Sequence, residues 1–173
     1  MTPDELLELF RTFERSAFRL ETRQQYNVPQ ETERIRAFQE GRPLPDHPVS
    51  QTSLRLVADA TAAGKRIYRV HIIDRPLTPY MRFELAVYPQ NVAAGEAIYI
   101  AERAAHPGLA ALTEDFWLFD GDTNPTVVWI RYTAEGSVLG WERTEQEGDV
   151  ERCCQQRDLA MAHAVSLGEF LAN

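Results

Sequence analysis

The stretch GKRIYRVHIIDRPLTPYMRFELAVY, residues 64–88, decides the fold, because it reads as a strand, a tight turn and a helix in direct succession. Ile67–Asp74 is rich in β-branched and aromatic residues, which suit a pleated strand. Thr78 and Pro79 then supply a capping hydroxyl and a proline at the first helical position. Alternation along the strand places Ile67, Arg69, His71 and Ile73 on one face and Tyr68, Val70 and Ile72 on the other. On the helix, spacings of three and four gather Leu77, Tyr80, Met81, Glu84, Leu85 and Tyr88, so a carboxylate stands within an apolar stripe. A carboxylate buried there needs a partner, since an unpaired charge away from water is costly. Arg69 is the nearest candidate and Arg82 the alternative.

Upstream, Thr2, Pro3 and Glu5 carry the pattern of a capping box, and Leu6, Phe10, Phe13 and Ala17 give the helix that follows an apolar face. Phe18–Tyr26 loses the helical period and alternates Phe18, Leu20 and Thr22 against Arg19, Glu21 and Arg23, which predicts an extended segment or edge strand whose charges at Arg19 and Glu21 form a solvated face or, as the less common case, a recognition element. Pro29 to Glu40 reads as a helix closed by Gly41 and anchored only by Ile35 and Phe38. Three prolines within Arg42–Pro48 then form the strongest linker signal, so residues 1–41 are a candidate N-terminal helical arm on a single domain spanning residues 1–173. Ser50 or Thr52 caps a third helix that ends at Gly64.

Downstream, Pro89 is expected to break or kink the central helix, and Ala97–Glu102 forms the next strand by a parallel crossover. Asp115–Asp120 is a further apolar segment, and Thr126–Thr133 with Val138–Thr144 makes a hairpin. Asp149 caps a long final helix with apolar positions through Val165. The predicted fold class is α+β. It has a mixed, mainly antiparallel sheet of about four to six strands, one strand–helix–strand crossover, N-terminal helices and a long C-terminal helix.

A net charge of −8 and the absence of any long apolar run predict a cytoplasmic protein with no membrane span and no direct nucleic-acid binding. Asp4, Glu5 and Glu8 stand where a signal peptide would be positive. Arg11, Arg15, Arg19 and Arg23 recur every fourth residue as the one row able to make a basic face, diluted by Glu8, Glu14 and Glu21. An acidic surface suits a protein partner or a homodimer. Cys153 and Cys154 are adjacent, a poor geometry for a disulfide, and read as reduced thiols. The four histidines show no ligand spacing, so neither a metal nor a cofactor is expected. His71 and Asp74 lie three apart on a strand and point to opposite faces, while Asp115, Asp120 and Asp122 read as turn chemistry around FWLFDGD. Nucleotide loops and nucleophile elbows are also missing, and no catalytic set is assigned.

Five segments, FERSAFRLET (13–22), RVHIIDRPLTPYMRFEL (69–85), NVAAGE (91–96), EDFWLFD (114–120) and RDLAMAHAV (157–165), together resemble an uncharacterised actinobacterial family, a domain of unknown function often encoded near helix-turn-helix regulators. The resemblance implies Arg69, Arg75, Tyr80, Arg82 and Glu84 as signature positions, so the candidate polar or ligand site comprises Arg69, His71, Arg75, Tyr80, Arg82 and Glu84. A more distant likeness, of fold only, is to degenerate halves of phospholipase-D-type nucleases. There an HxK motif precedes an aspartate, whereas Ile72 and Ile73 follow His71 here. The leading expectation is a non-enzymatic regulatory or protein-interaction domain, a partner of a helix-turn-helix regulator. The alternative is a nuclease or toxin-like hydrolase with Arg69, His71, Arg82 and Glu84 around a phosphate.

Overall fold

Thr2 caps the first helix as its capping box demands: its hydroxyl accepts the Glu5 N–H at 3.2 Å, and the Glu5 carboxylate accepts the Thr2 N–H at 2.7 Å. The computed structural model describes residues 1–172. From that helix, α1 (Pro3–Thr12), the chain continues through β1 (Ser16–Glu21), a 3₁₀ turn at Pro29–Glu31, α2 (Thr32–Gln39), α3 (Pro48–Ala62), β2 (Arg66–Ile73), α4 (Pro79–Ala93) and β3 (Ala97–Glu102). A second 3₁₀ turn (Arg103–Ala105) and the short α5 (Pro107–Ala110) lead into β4 (Asp115–Phe119), β5 (Thr126–Tyr132), β6 (Val138–Thr144), α6 (Glu147–Ala162), β7 (Val165–Ser166) and α7 (Leu167–Ala172). No helix among the described residues is long and apolar enough to cross a membrane.

The strands form one mixed sheet in the order β6-β5-β4-β1-β2-β3-β7, with β1, β2 and β3 parallel and the remaining pairings antiparallel. Seven strands correct the expectation of about four to six. The additional strand is β7, only two residues long and too short to show a period, and it pairs with Tyr99 and Ile100 where the final helix was expected to continue. That helix ends instead at Ala162, with His163 as its cap. Two parallel crossovers are present, not one, because β1 also feeds β2.

The largest correction concerns β1. The segment expected at the edge is the central strand, flanked by β2 and β4, and the candidate arm of residues 1–41 therefore carries the middle of the sheet. Phe13, Phe18 and Leu20 are all buried. Alternating charges suggested a wet face, but Arg19 and Glu21 are themselves buried, because the neighbouring strands supply opposite charges. Helix α4 also runs unbroken past Pro89, which forfeits one backbone bond near the end of the helix without stopping it.

The two faces of the sheet differ. One is apolar: Phe18, Leu20, Tyr68, Val70, Ile72, Phe116 and Leu118 pack against α6 through Cys153 and Ala160. Both cysteines are free thiols. On the other face, α1 and α3 pack near Ala17, Ile67 and Phe119, while α2 and α4 pack near Ile73, Ile98 and Ile100. The parallel strands present their charged residues between these two apolar patches.

Candidate functional site

The parallel register sets Arg19 beside Arg69 and Glu21 beside His71, and the antiparallel β4 sets Trp117 beside Arg19. Two guanidiniums on neighbouring strands repel unless carboxylates lie between them. Arg69 is gripped by Glu96, with Nε to Oε1 at 2.5 Å and Nη2 to Oε2 at 3.0 Å, and donates from Nη1 to Glu21 at 3.0 Å. Asn91 orients Glu96 from the end of α4 at 2.8 Å. Arg19 donates to Asp115 at 3.2 Å and to the Tyr132 hydroxyl at 2.9 Å. Asp115 is further fixed by the Thr22 N–H and hydroxyl and by the Tyr26 hydroxyl, the last at 2.6 Å. Burial pushes the Glu21 carboxyl up, but the Arg69 and Arg19 guanidiniums outweigh it and hold the group at about 2.

His71 lies under this network, fully buried. Its Nε2 faces the Arg23 carbonyl at 2.9 Å, which can only accept, so Nε2 carries the proton and Nδ1 accepts from the Tyr88 hydroxyl at 2.6 Å. Burial pulls its pKa down, against the pull of Glu21, so the ring is neutral near pH 7. A ring so enclosed cannot reach a substrate.

Above Arg69 the packing opens. Between the sheet, α2, α3 and α4 lies a cavity of ≈ 270 Å³ whose walls include Glu31, Arg34, Arg69, Glu84, Tyr88 and Asn91. A second cavity of ≈ 230 Å³ adjoins it, sharing Ser53, Arg69 and Asn91, and is lined on its apolar side by Phe10, Leu56, Val57, Ile67 and Trp117. Glu84 is buried, as the helical period predicts, but the expected arginine partner is absent: Arg69 is committed to Glu96 and Glu21, and Arg82 is exposed on the far side of α4. Among the described residues Glu84 makes no ion pair. Burial, followed by the Glu31 and Glu21 charges, pushes its carboxyl up to about 8, with Arg69 and the Tyr80 hydroxyl pulling the other way. Glu31 is raised as well, chiefly by burial, and accepts the Tyr80 hydroxyl at 3.1 Å. Arg34 is buried across the same cavity. Its Nη1 and Nη2 donate to Ser50 and Gln90 at 3.0 and 3.1 Å, while its Nε has no hydrogen-bond partner.

Of the six predicted site residues, Arg69 and Glu84 line the cavity and Tyr80 adjoins it through Glu31. His71 sits below it. Arg82 and Arg75 are outside, the latter pairing with Glu102 at 2.8 Å on the surface. Sequence reasoning missed Glu21, Glu96, Glu31 and Arg34. The first two are visible only once the parallel register is known, and nothing local marks Arg34 on a helix whose only large apolar residues are Ile35 and Phe38. No group of three or more His, Cys, Asp or Glu among the described residues is placed to hold a metal ion.

The family model of a domain of unknown function (DUF6879) matches residues 4–172, nearly the whole chain. No curated protein matches it. The chain belongs to the DUF6879 family.

Proposed function

We propose that this DUF6879 member is a non-enzymatic regulatory domain that takes a small polar ligand in the cavity beneath α3. The observation that carries this reading is the division of the charged face. The groups that would make a catalytic set, Arg69 and His71, are committed to Glu96, Glu21, Tyr88 and a backbone carbonyl, whereas on the cavity Glu84 is buried without an ion pair and Arg34 Nε has no hydrogen-bond partner. Ligand sites commonly show this mixture of apolar wall and a few convergent polar groups. Helix α3 spans both cavities, contributing Ser50, Ser53 and Leu54 to one and Ser53, Leu56 and Val57 to the other, so occupancy would be felt as a change in how α3 sits on the sheet. The surface that α3 presents is then the regulated one. A net charge of −8 favours a basic protein partner there, of the helix-turn-helix regulator kind that the sequence resemblance implies.

The test is a melting-temperature screen of the full chain against polar small molecules, followed by hydrogen exchange on α3 with each hit. A ligand at a hundred times its Kd stabilises by about 2.7 kcal/mol, and α3 amides should gain the most protection. In parallel, bis(p-nitrophenyl) phosphate should be hydrolysed no faster than in buffer. Turnover that disappears in an Arg69→Met variant would make the protein an enzyme instead.

A further inference from the structure

Resting on that reading of the cavity, we infer that its ligand is a small zwitterion of the α-amino acid class, with its ammonium group between Glu31 and Glu84 and its carboxylate on Arg34. Glu84 is buried without a cationic partner and has Glu31 beside it, which makes a place for a donor of positive charge. A pair of carboxyls alone would fit a metal or any amine, but the buried Arg34 guanidinium lines the same cavity with its Nε lacking a hydrogen-bond partner, and such a donor calls for an acceptor. A molecule bearing both signs on a short carbon frame complements both the carboxyls and the guanidinium; a simple amine or a simple carboxylate complements only one of them. Size agrees, since ≈ 270 Å³ lies below the range of about 300–1,000 Å³ usual for drug-sized ligands.

Binding should also move a proton. The groups facing Glu84 are Glu31 from the 3₁₀ turn, Glu21 from β1, Arg69 from β2, and Tyr80 and Tyr88 from its own helix, with Arg34 of α2 lining the same cavity. In this setting Glu84 is mainly the neutral acid at pH 7. An ammonium arriving beside it favours the carboxylate, so up to one proton leaves as the ligand binds.

The experiment is isothermal titration calorimetry of the full chain at pH 7, in two buffers of different ionisation enthalpy. The probes are the protein amino acids, n-alkylamines and n-alkylcarboxylates of matching length, and a panel of uncharged polar metabolites. At least one amino acid should bind, ten-fold or more tighter than its matched amine and its matched carboxylate, with proton release that depends on buffer. Glu84→Gln, which is isosteric, should abolish the proton release and cost at least ten-fold in affinity. Arg34→Lys retains the charge but lacks the Nε donor, and should remove the advantage of amino acid over amine. Circular dichroism melts establish that each variant is folded. Equal binding of amine and amino acid by the wild type, or unchanged proton release in Glu84→Gln, overturns the zwitterion. Binding of uncharged metabolites alone overturns it while leaving the cavity as a ligand site, and binding of no probe from any class overturns both.

Discussion

Glu21 and Glu84 are two buried carboxyls near one arginine, driven to opposite ends of the carboxylate range by what else lies beside them. Arg69 and Arg19 hold Glu21 ionised; Glu84 has Glu31 and Glu21 as neighbours and remains protonated. The consequence for stability has a definite sign. Glu84 binds its proton more tightly folded than unfolded, so its contribution falls as pH rises from the ordinary carboxylate pKa of about 4.3 through about 8. His71 acts oppositely: its folded pKa is depressed, so stability falls as pH drops below about 6.5. Between pH 6.5 and 8, stability measured by urea unfolding should therefore fall by up to about 1.4 kcal/mol per pH unit, and Glu84→Gln should flatten that slope. A flat wild-type profile would place Glu84 in contact with water. By contrast, Glu96→Ala leaves Arg69 buried with only one carboxylate, and should cost about 3–5 kcal/mol at pH 7. The helical period alone showed that Glu84 is buried. Its lack of an arginine partner was not legible, because Arg69 is taken by Glu96, 27 positions away in sequence.

Among the elements, β1 governs everything that contacts the charged face. Its entry is set by Asp120, whose carboxylate accepts the backbone N–H groups of Glu14, Arg15 and Ser16 at 2.7, 2.7 and 3.0 Å, so a turn residue 104 to 106 positions away ties α1 to the sheet. Asp120 itself sits at φ 49, a left-handed conformation that aspartate tolerates better than most residues. Asp120→Ala leaves those three donors near the interior with no acceptor and should destabilise by about 2–3 kcal/mol in chemical denaturation. Removing residues 1–28 takes away β1 altogether, leaving β2 and β4 without the strand that joins them. The truncated chain should be insoluble or unfolded by circular dichroism; a folded, monodisperse product would contradict the central position of β1. The strand–turn–helix of β2 and α4 and the β5–β6 hairpin were legible because each is long and carries strong turn or cap signals. The rank of β1 was not, since alternation of charged and apolar residues looks the same on a wet edge and on a buried, internally neutralised face.

Over the whole molecule, that neutralisation decides what the surface can attract. Of the cations, Arg19 and Arg69 are spent inside the sheet face, while Arg103, Arg131, Arg152 and Arg157 lie against Asp74, Glu114, Asp149, Asp122 and their neighbours. The one sequence row that promised a basic face is dispersed by the fold. Arg11 is on α1 beside Glu8, Arg19 is buried in β1, and Arg23 donates to the carbonyls of Thr133 and Ala134 and stacks over Tyr132. Neutralising phosphates requires several accessible cations on one surface, and each contact made contributes to a steep salt dependence. With a net charge of −8 and its arginines so engaged, the chain should show no binding to a fluorescein-labelled random duplex in anisotropy titrations at 150 mM salt and 10 µM protein, concentrations about typical of non-specific binding tests. Micromolar binding that weakens as salt is raised would reveal a basic face that this arrangement of ion pairs does not provide. If no binding is seen, any DNA-binding partner has to supply its own phosphate contacts.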